Sequence, residues 1–96
     1  MVYTFDQIKE ALEPIFRRYG VRSAVLFGSY AKGLQTEKSD IDILVDSGLK
    51  GLVFFGLLDA IINTLGTEVD LLDVSQIKPN SSIEKEMIKT GIRLYG

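Results

Sequence analysis

Apolar residues first recur at helical spacing. Phe5, Ile8, Leu12, Ile15, Phe16 and Tyr19 fall on one stripe, which predicts a helix over 5–19. Thr4 followed three residues later by Gln7 is a capping-box pattern, and Gly20 is a natural stop. Pro14 inside this run removes a backbone donor and crowds the preceding turn, so a kink is expected there. The next run, Val21 to Phe27, ends in Val25-Leu26-Phe27 and reads as a strand entering the core. Gly28 to Gly33 then forms a turn with up to one turn of helix, and 34–39 is a polar loop. Ile41 to Val45 is a second strand, alternating apolar residues with Asp42. Leu52 to Leu65 is a helix closed by Gly66, and Glu68 to Val74 is a third strand. Ser81 with Glu84 repeats the capping-box spacing and opens a helix to about Thr90. Ile92 to Tyr95 closes the pattern as an edge strand.

The order helix, strand, strand, helix, strand, helix, strand describes an α/β fold, a small mixed β-sheet with flanking helices. The 96 residues are expected to form a single domain spanning 1–96, with no internal repeat or linker. An apolar share of 46% and a charged share of 25% suit a globular chain. A net charge of −2 argues against a general nucleic-acid surface, whereas a small nucleotide can bring a neutralising metal with it. No signal-like leader opens the chain, and the longest apolar stretch is too short to span a bilayer, so a cytoplasmic protein without membrane association is expected. The absence of cysteine and histidine has the sharpest consequence: any metal site must be built from oxygen, which favours magnesium, manganese or calcium.

Candidate chemistry gathers between the first two strands. A buried strand ending in Gly28-Ser29 and leading into a helical turn presents free backbone N–H groups. Glycine there permits close approach of an anion, the Ser29 hydroxyl adds a donor, and Lys32 adds a mobile positive charge. A Gly-Ser turn alone is more often a plain tight turn, and the spacing is not that of a Walker A loop. Asp40 and Asp42 sharpen the reading. Residues two apart in a strand share a face at roughly 6.5–7 Å. Two carboxylates there repel by about 3 kcal/mol at an effective dielectric near 20 and ~5 Å separation, a cost that a cation between them removes. Solvated acids at a strand end are the bland alternative. Asp70, in a strand expected to neighbour the second, can join the same cluster or accept a proton from an incoming hydroxyl. Asp46, Glu68 and Asp73 are its competitors; Asp73 lies three residues on and faces the other side of a regular strand.

Phe27-Gly28-Ser29-Tyr30-Ala31-Lys32-Gly33, then Ser39-Asp40-Ile41-Asp42, then the apolar-flanked Asp70, resembles the DNA polymerase beta-type nucleotidyltransferase superfamily. More narrowly it resembles the minimal nucleotidyltransferases, and the likeness spans essentially the whole chain. The resemblance implies a polymerase beta-like fold. It also implies that Gly28 and Ser29 hold the β- and γ-phosphates of ATP, with Lys32 and Ser39 among the nucleotide-binding positions. Asp40, Asp42 and Asp70 would be the catalytic acids and the ligands of two magnesium ions, with Asp70 also helping to activate an acceptor hydroxyl. Attack at the α-phosphorus would transfer a nucleoside monophosphate and release pyrophosphate. One position departs from the family pattern: Lys32 stands where arginine is common, keeping the charge but losing bidentate geometry.

The resemblance further implies a partner. Minimal nucleotidyltransferases pair with a HEPN-domain toxin, so the chain is expected to act as its antitoxin by adenylylating a toxin tyrosine. Three other readings stay open: an antitoxin that masks its toxin without catalysis, a transferase for a small molecule such as an aminoglycoside with a partner or homo-oligomer completing the site, and a domain that only binds nucleotide. The Leu52–Leu65 helix bears on this choice. Its apolar residues cover about 200° of the helical wheel, which fits either burial between sheet and helices or a protein interface through Phe54, Phe55 or Leu58.

Overall fold

The computed structural model describes residues 3–27, 41–78, 81, 82, 85, 89 and 91–96. The first helix, α1, runs from Phe5 to Tyr19. Its start is set by a reciprocal cap: Gln7 N–H donates to Thr4 Oγ1 at 3.2 Å, and Thr4 N–H donates to Gln7 Oε1 at 2.9 Å. Its end is set by Gly20 at φ 71°, a left-handed conformation that glycine adopts without a Cβ clash. The helix continues through Pro14, which lies on the exposed side, where water can serve the carbonyl that proline leaves unpaired.

Four strands follow: β1 (Ser23–Phe27), β2 (Ile41–Asp46), β3 (Val69–Asp73) and β4 (Ile92–Tyr95), in the sheet order β3-β2-β1-β4. β1 is antiparallel to both β2 and β4, and β2 is parallel to β3. A parallel neighbour needs a crossover, which the second helix, α2 (Leu52–Leu65), supplies. The sheet is therefore mixed, with β3 and β4 at its edges.

Alternation sorts the strands into two faces. Ala24 and Leu26, Ile41, Ile43 and Val45, and Val69 and Leu71 are buried together against the stripes Ile8, Leu12, Phe16 of α1 and Leu57, Ile61, Leu65 of α2. The Tyr95 ring meets Phe16 at 5.4 Å between centroids, tying β4 to α1. The Tyr3 hydroxyl donates to the Leu65 carbonyl, satisfying one of the acceptors left over at the end of α2. Among the described residues, no helix is long and apolar enough to cross a membrane.

Four strand boundaries differ from the expected ones: β2 runs one residue further, to Asp46, β3 begins at Val69 rather than Glu68, and at the other two a cap takes the residue. Val21 N–H donates to the Phe16 carbonyl at 3.0 Å as part of the turn that ends α1, so β1 starts at Ser23. Val74 opens a 3₁₀ turn, Val74–Gln76, capped by Asp73, so β3 stops one residue earlier than its β-branched composition suggests. Of the final helix, Ser82, Lys85 and Lys89 are helical, and Lys85 N–H donates to the Ser81 carbonyl at 3.1 Å, as an N-cap at Ser81 requires. Glu84 lies outside the described residues.

α2 buries one stripe and exposes another. Leu52 is 88% exposed and Phe55 63%, and Val53 is exposed beside them. Phe54 and Leu58, also considered for an interface, are half-buried and pack against the core.

Candidate active site

Asp42 and Asp70 are register partners. The parallel ladder pairs Ile41 with Val69, Asp42 with Asp70, Ile43 with Leu71, Leu44 with Leu72 and Val45 with Asp73. Ile41 and Ile43 are buried on the helix-covered face, so Asp42 and Asp70 lie together on the other face. Neighbouring strands run about 4.8 Å apart, which sets the scale of the spacing between the two acids. Asp42 is half-buried and Asp70 exposed. On the other side of Asp42 the antiparallel ladder pairs it with Phe27, so one transverse row reads Phe27, Asp42, Asp70. Asp70 ends that row on an edge strand.

Gly28, Ser29, Lys32, Ser39 and Asp40 lie outside the described residues. The described strands fix where that segment joins the sheet. Gly28 follows Phe27, the partner of Asp42, and Asp40 precedes Ile41, the partner of Val69. Both ends of 28–40 thus attach within one residue of the Asp42–Asp70 row.

Two like charges at ~5 Å cost about 3 kcal/mol at an effective dielectric near 20, less where water screens the exposed Asp70. A divalent cation reverses the sign of that term. The donor set fits such an ion: two carboxylates share a face, and with neither cysteine nor histidine in the chain the ligands are oxygens, the set that magnesium and manganese prefer.

The competing acids have other surroundings. Asp46 ends β2 and faces Arg22 across 3.8 Å at the surface. Glu68 is exposed and precedes β3. Asp73 is 4% exposed and on the helix-covered side of the sheet. Its Oδ1 accepts from Ser47 N–H at 3.1 Å and from the Ser47 hydroxyl at 2.7 Å. Its Oδ2 accepts from Ser75 N–H at 2.9 Å and from the Ser75 hydroxyl at 2.6 Å. Burial pushes this carboxyl's pKa up, but the hydroxyl and backbone hydrogen bonds from Ser75 and Ser47 outweigh it and lower the value to about 2. Asp73 is thus committed to holding the chain together. Alternation alone sets it apart from Asp70, but its four donors are invisible to alternation. The spacing Asp73-Val74-Ser75-Gln76 is a capping-box signal that the strand reading hides.

Comparison with known proteins places this geometry in a family. The profile described as "Polymerase beta, Nucleotidyltransferase" matches residues 10–96. A Methanocaldococcus jannaschii chain described as a candidate protein adenylyltransferase is 42% identical over 94 residues, covering 88% of this chain and 96% of its own length. The protein adenylyltransferase MntA of Thermococcus cleftensis is 36% identical over 92 residues, covering 90% of this chain and 91% of its own. Among solved structures, a toxin–antitoxin crystallised with AMP-PNP superposes with a TM-score of 0.76 at 27% identity, over 92% of this chain and 73% of that one. With its mixed four-stranded sheet and its paired strand acids, the chain belongs to the polymerase beta nucleotidyltransferase family and is a nucleotidyltransferase.

Proposed function

We propose that this chain transfers AMP from ATP to a hydroxyl group, most plainly a tyrosine of a partner HEPN-domain toxin, and acts thereby as the antitoxin of that pair. The observation that carries this reading is the side-by-side pairing of Asp42 with Asp70 on one face at the sheet edge. Relatives bearing the name protein adenylyltransferase and a structural neighbour described as a toxin–antitoxin with AMP-PNP support the nucleotide and the partner class.

Asp42 and Asp70, joined by Asp40, would hold magnesium, which supplies Lewis-acid stabilisation of charge on the phosphates when bound. Gly28 and Ser29 would bind the β- and γ-phosphates, with Lys32 and Ser39 as further nucleotide-binding residues. The acceptor oxygen forms a bond to the α-phosphorus as the bond from that phosphorus to its bridging oxygen breaks, and pyrophosphate leaves with the electron pair. Asp70 receives the acceptor's proton. A tyrosine hydroxyl, with an ordinary pKa near 10, needs such a base at neutral pH. Asp70 sits at the edge of the sheet, where a bulky acceptor can approach without crossing β1 or β2.

The test is transfer of label from α-labelled ATP to the purified toxin with magnesium. Asp70→Asn should lower the rate by about 10²-fold or more, because it removes both the base and a ligand of the metal. Absence of any label on the toxin would overturn the reading.

Exposed Leu52, Val53 and Phe55 on α2 favour a second reading in which binding alone masks the toxin. A groove of about 450 Å³ flanks this face, lined in part by Phe54, Phe55, Leu58 and Leu72. Phe55→Glu should weaken toxin binding by at least ~10-fold in titration calorimetry while leaving ATP binding unchanged. Neutralisation that survives Asp42→Ala but not Phe55→Glu would favour masking over transfer.

A further inference from the structure

We infer that the clasp of Asp73 on Ser47 and Ser75 is a positioning device that holds Asp42 and Asp70 side by side. This rests on the reading of those two acids as metal ligands. Among the described strands β3 lies at the edge, so there only its ladder with β2 fixes its position along the neighbour. That ladder has five pairs. Asp42–Asp70 is the second, and the fifth pairs Val45 with Asp73, about 10 Å further along.

Apolar alternation protects this register incompletely. A slip by one residue would turn Val69 and Leu71 out of the core and Asp70 into it, which burial opposes strongly. A slip by two keeps every side chain on its own face. Such a slip would set Asp70 beside Leu44 or bring Leu72 beside Asp42, separating the acids at no cost in alternation. The clasp opposes this movement. Ser47 follows the end of β2, is 6% exposed, and gives both its N–H and its hydroxyl hydrogen to one oxygen of Asp73. The second Asp73 oxygen is bound by Ser75, which follows β3, and Asp73 N–H donates to Gln76 Oε1 at 3.0 Å. One buried carboxylate therefore ties the end of β2 to the turn after β3. Displacing β3 by two residues would leave the Ser47 donors facing Leu71 or Ser75. The carboxylate spacing at the site is thus set from the far end of the same two strands.

Manganese binding to the intact chain, followed by electron paramagnetic resonance without nucleotide, tests this independently of turnover. The wild type should bind manganese and Asp42→Asn should lose that binding. Ser47→Ala should raise the manganese Kd about 10-fold, in the range seen when groups that orient metal ligands are removed. Ser47→Thr, which keeps the hydroxyl, should restore wild-type affinity. Ser75→Ala, at a more exposed position, is the milder companion and should shift the Kd about 3-fold the same way. Ile61→Val, a core change of α2 remote from the clasp, should leave the Kd unchanged. Wild-type affinity in folded Ser47→Ala and Ser75→Ala overturns the positioning role, as does an equal loss in Ile61→Val, which would mean general softening. If the wild type itself shows no Asp42-dependent manganese binding, the metal-site reading fails, and the clasp's role fails with it.

Discussion

Asp42→Asn should reduce AMP transfer by about 10³-fold while leaving the chain folded. Asp42 occupies the centre of the row, between Phe27 on β1 and Asp70 on β3. In the proposed site it lies beside Asp70 in the ladder and two residues after Asp40 in the sequence, so it would share cations with both. Removing one charged ligand from a divalent site forfeits several kcal/mol of charge stabilisation in the transition state, and about 4 kcal/mol corresponds to the thousandfold loss. The amide is nearly isosteric and the position is half-buried, so packing of the β2 core face should be preserved. Two measurements separate the chemical effect from a folding effect. Single-turnover transfer should fall, and thermal unfolding should stay cooperative. Magnesium with ATP should also raise the Tm of the wild type but not of Asp42→Asn, because only a chain that binds the ligand is stabilised by mass action. A variant that keeps within threefold of wild-type transfer would remove Asp42 from the reaction.

Much of the fold was legible because most elements obey one period strictly. Leu52–Leu65 and Ile92–Tyr95 stand in the structure with the bounds their apolar pattern implies, and α1 is bracketed by Thr4 and Gly20 as the caps require. Alternation also placed Ile41 and Ile43 in the core and Asp42 on the opposite face. Register was not legible. Periodicity assigns a residue to a face but cannot say which residue of another strand lies beside it, so the meeting of Asp42 with Asp70 needed the β2–β3 ladder. The same limit hid the partners of Asp73: Ser47 is 26 residues away, and nothing local links the two. At two of the boundaries that moved, Val21 and Val74, backbone capping prevailed over β propensity. Gly28, Ser29 and Asp40 were legible through motif spacing alone, and their roles rest on the proposal above.

Asp73→Ala should be among the most destabilising single substitutions in the chain, by about 3 kcal/mol. It removes an acceptor of four hydrogen bonds and leaves the donors of Ser47, itself buried, without a charged partner. Asp73→Asn is gentler, because one amide oxygen still accepts while its NH2 group confronts two serine donors. The pH dependence fixes the mechanism. The folded-state pKa of about 2 lies below the ordinary aspartate value of 3.8, so the unfolded chain takes up the proton first as pH falls. The stabilisation is therefore complete above about pH 5 and fades as pH drops through 4 toward 2. The shift corresponds to about 2 kcal/mol. Urea unfolding of wild type and Asp73→Asn across pH 2 to 7 should show a stability gap that is constant above pH 5 and narrows by about 2 kcal/mol toward pH 2. Other carboxylates titrate in both proteins and cancel in the difference. A gap independent of pH would mean that the charge on Asp73 contributes nothing and that its shape alone holds Ser47 and Ser75.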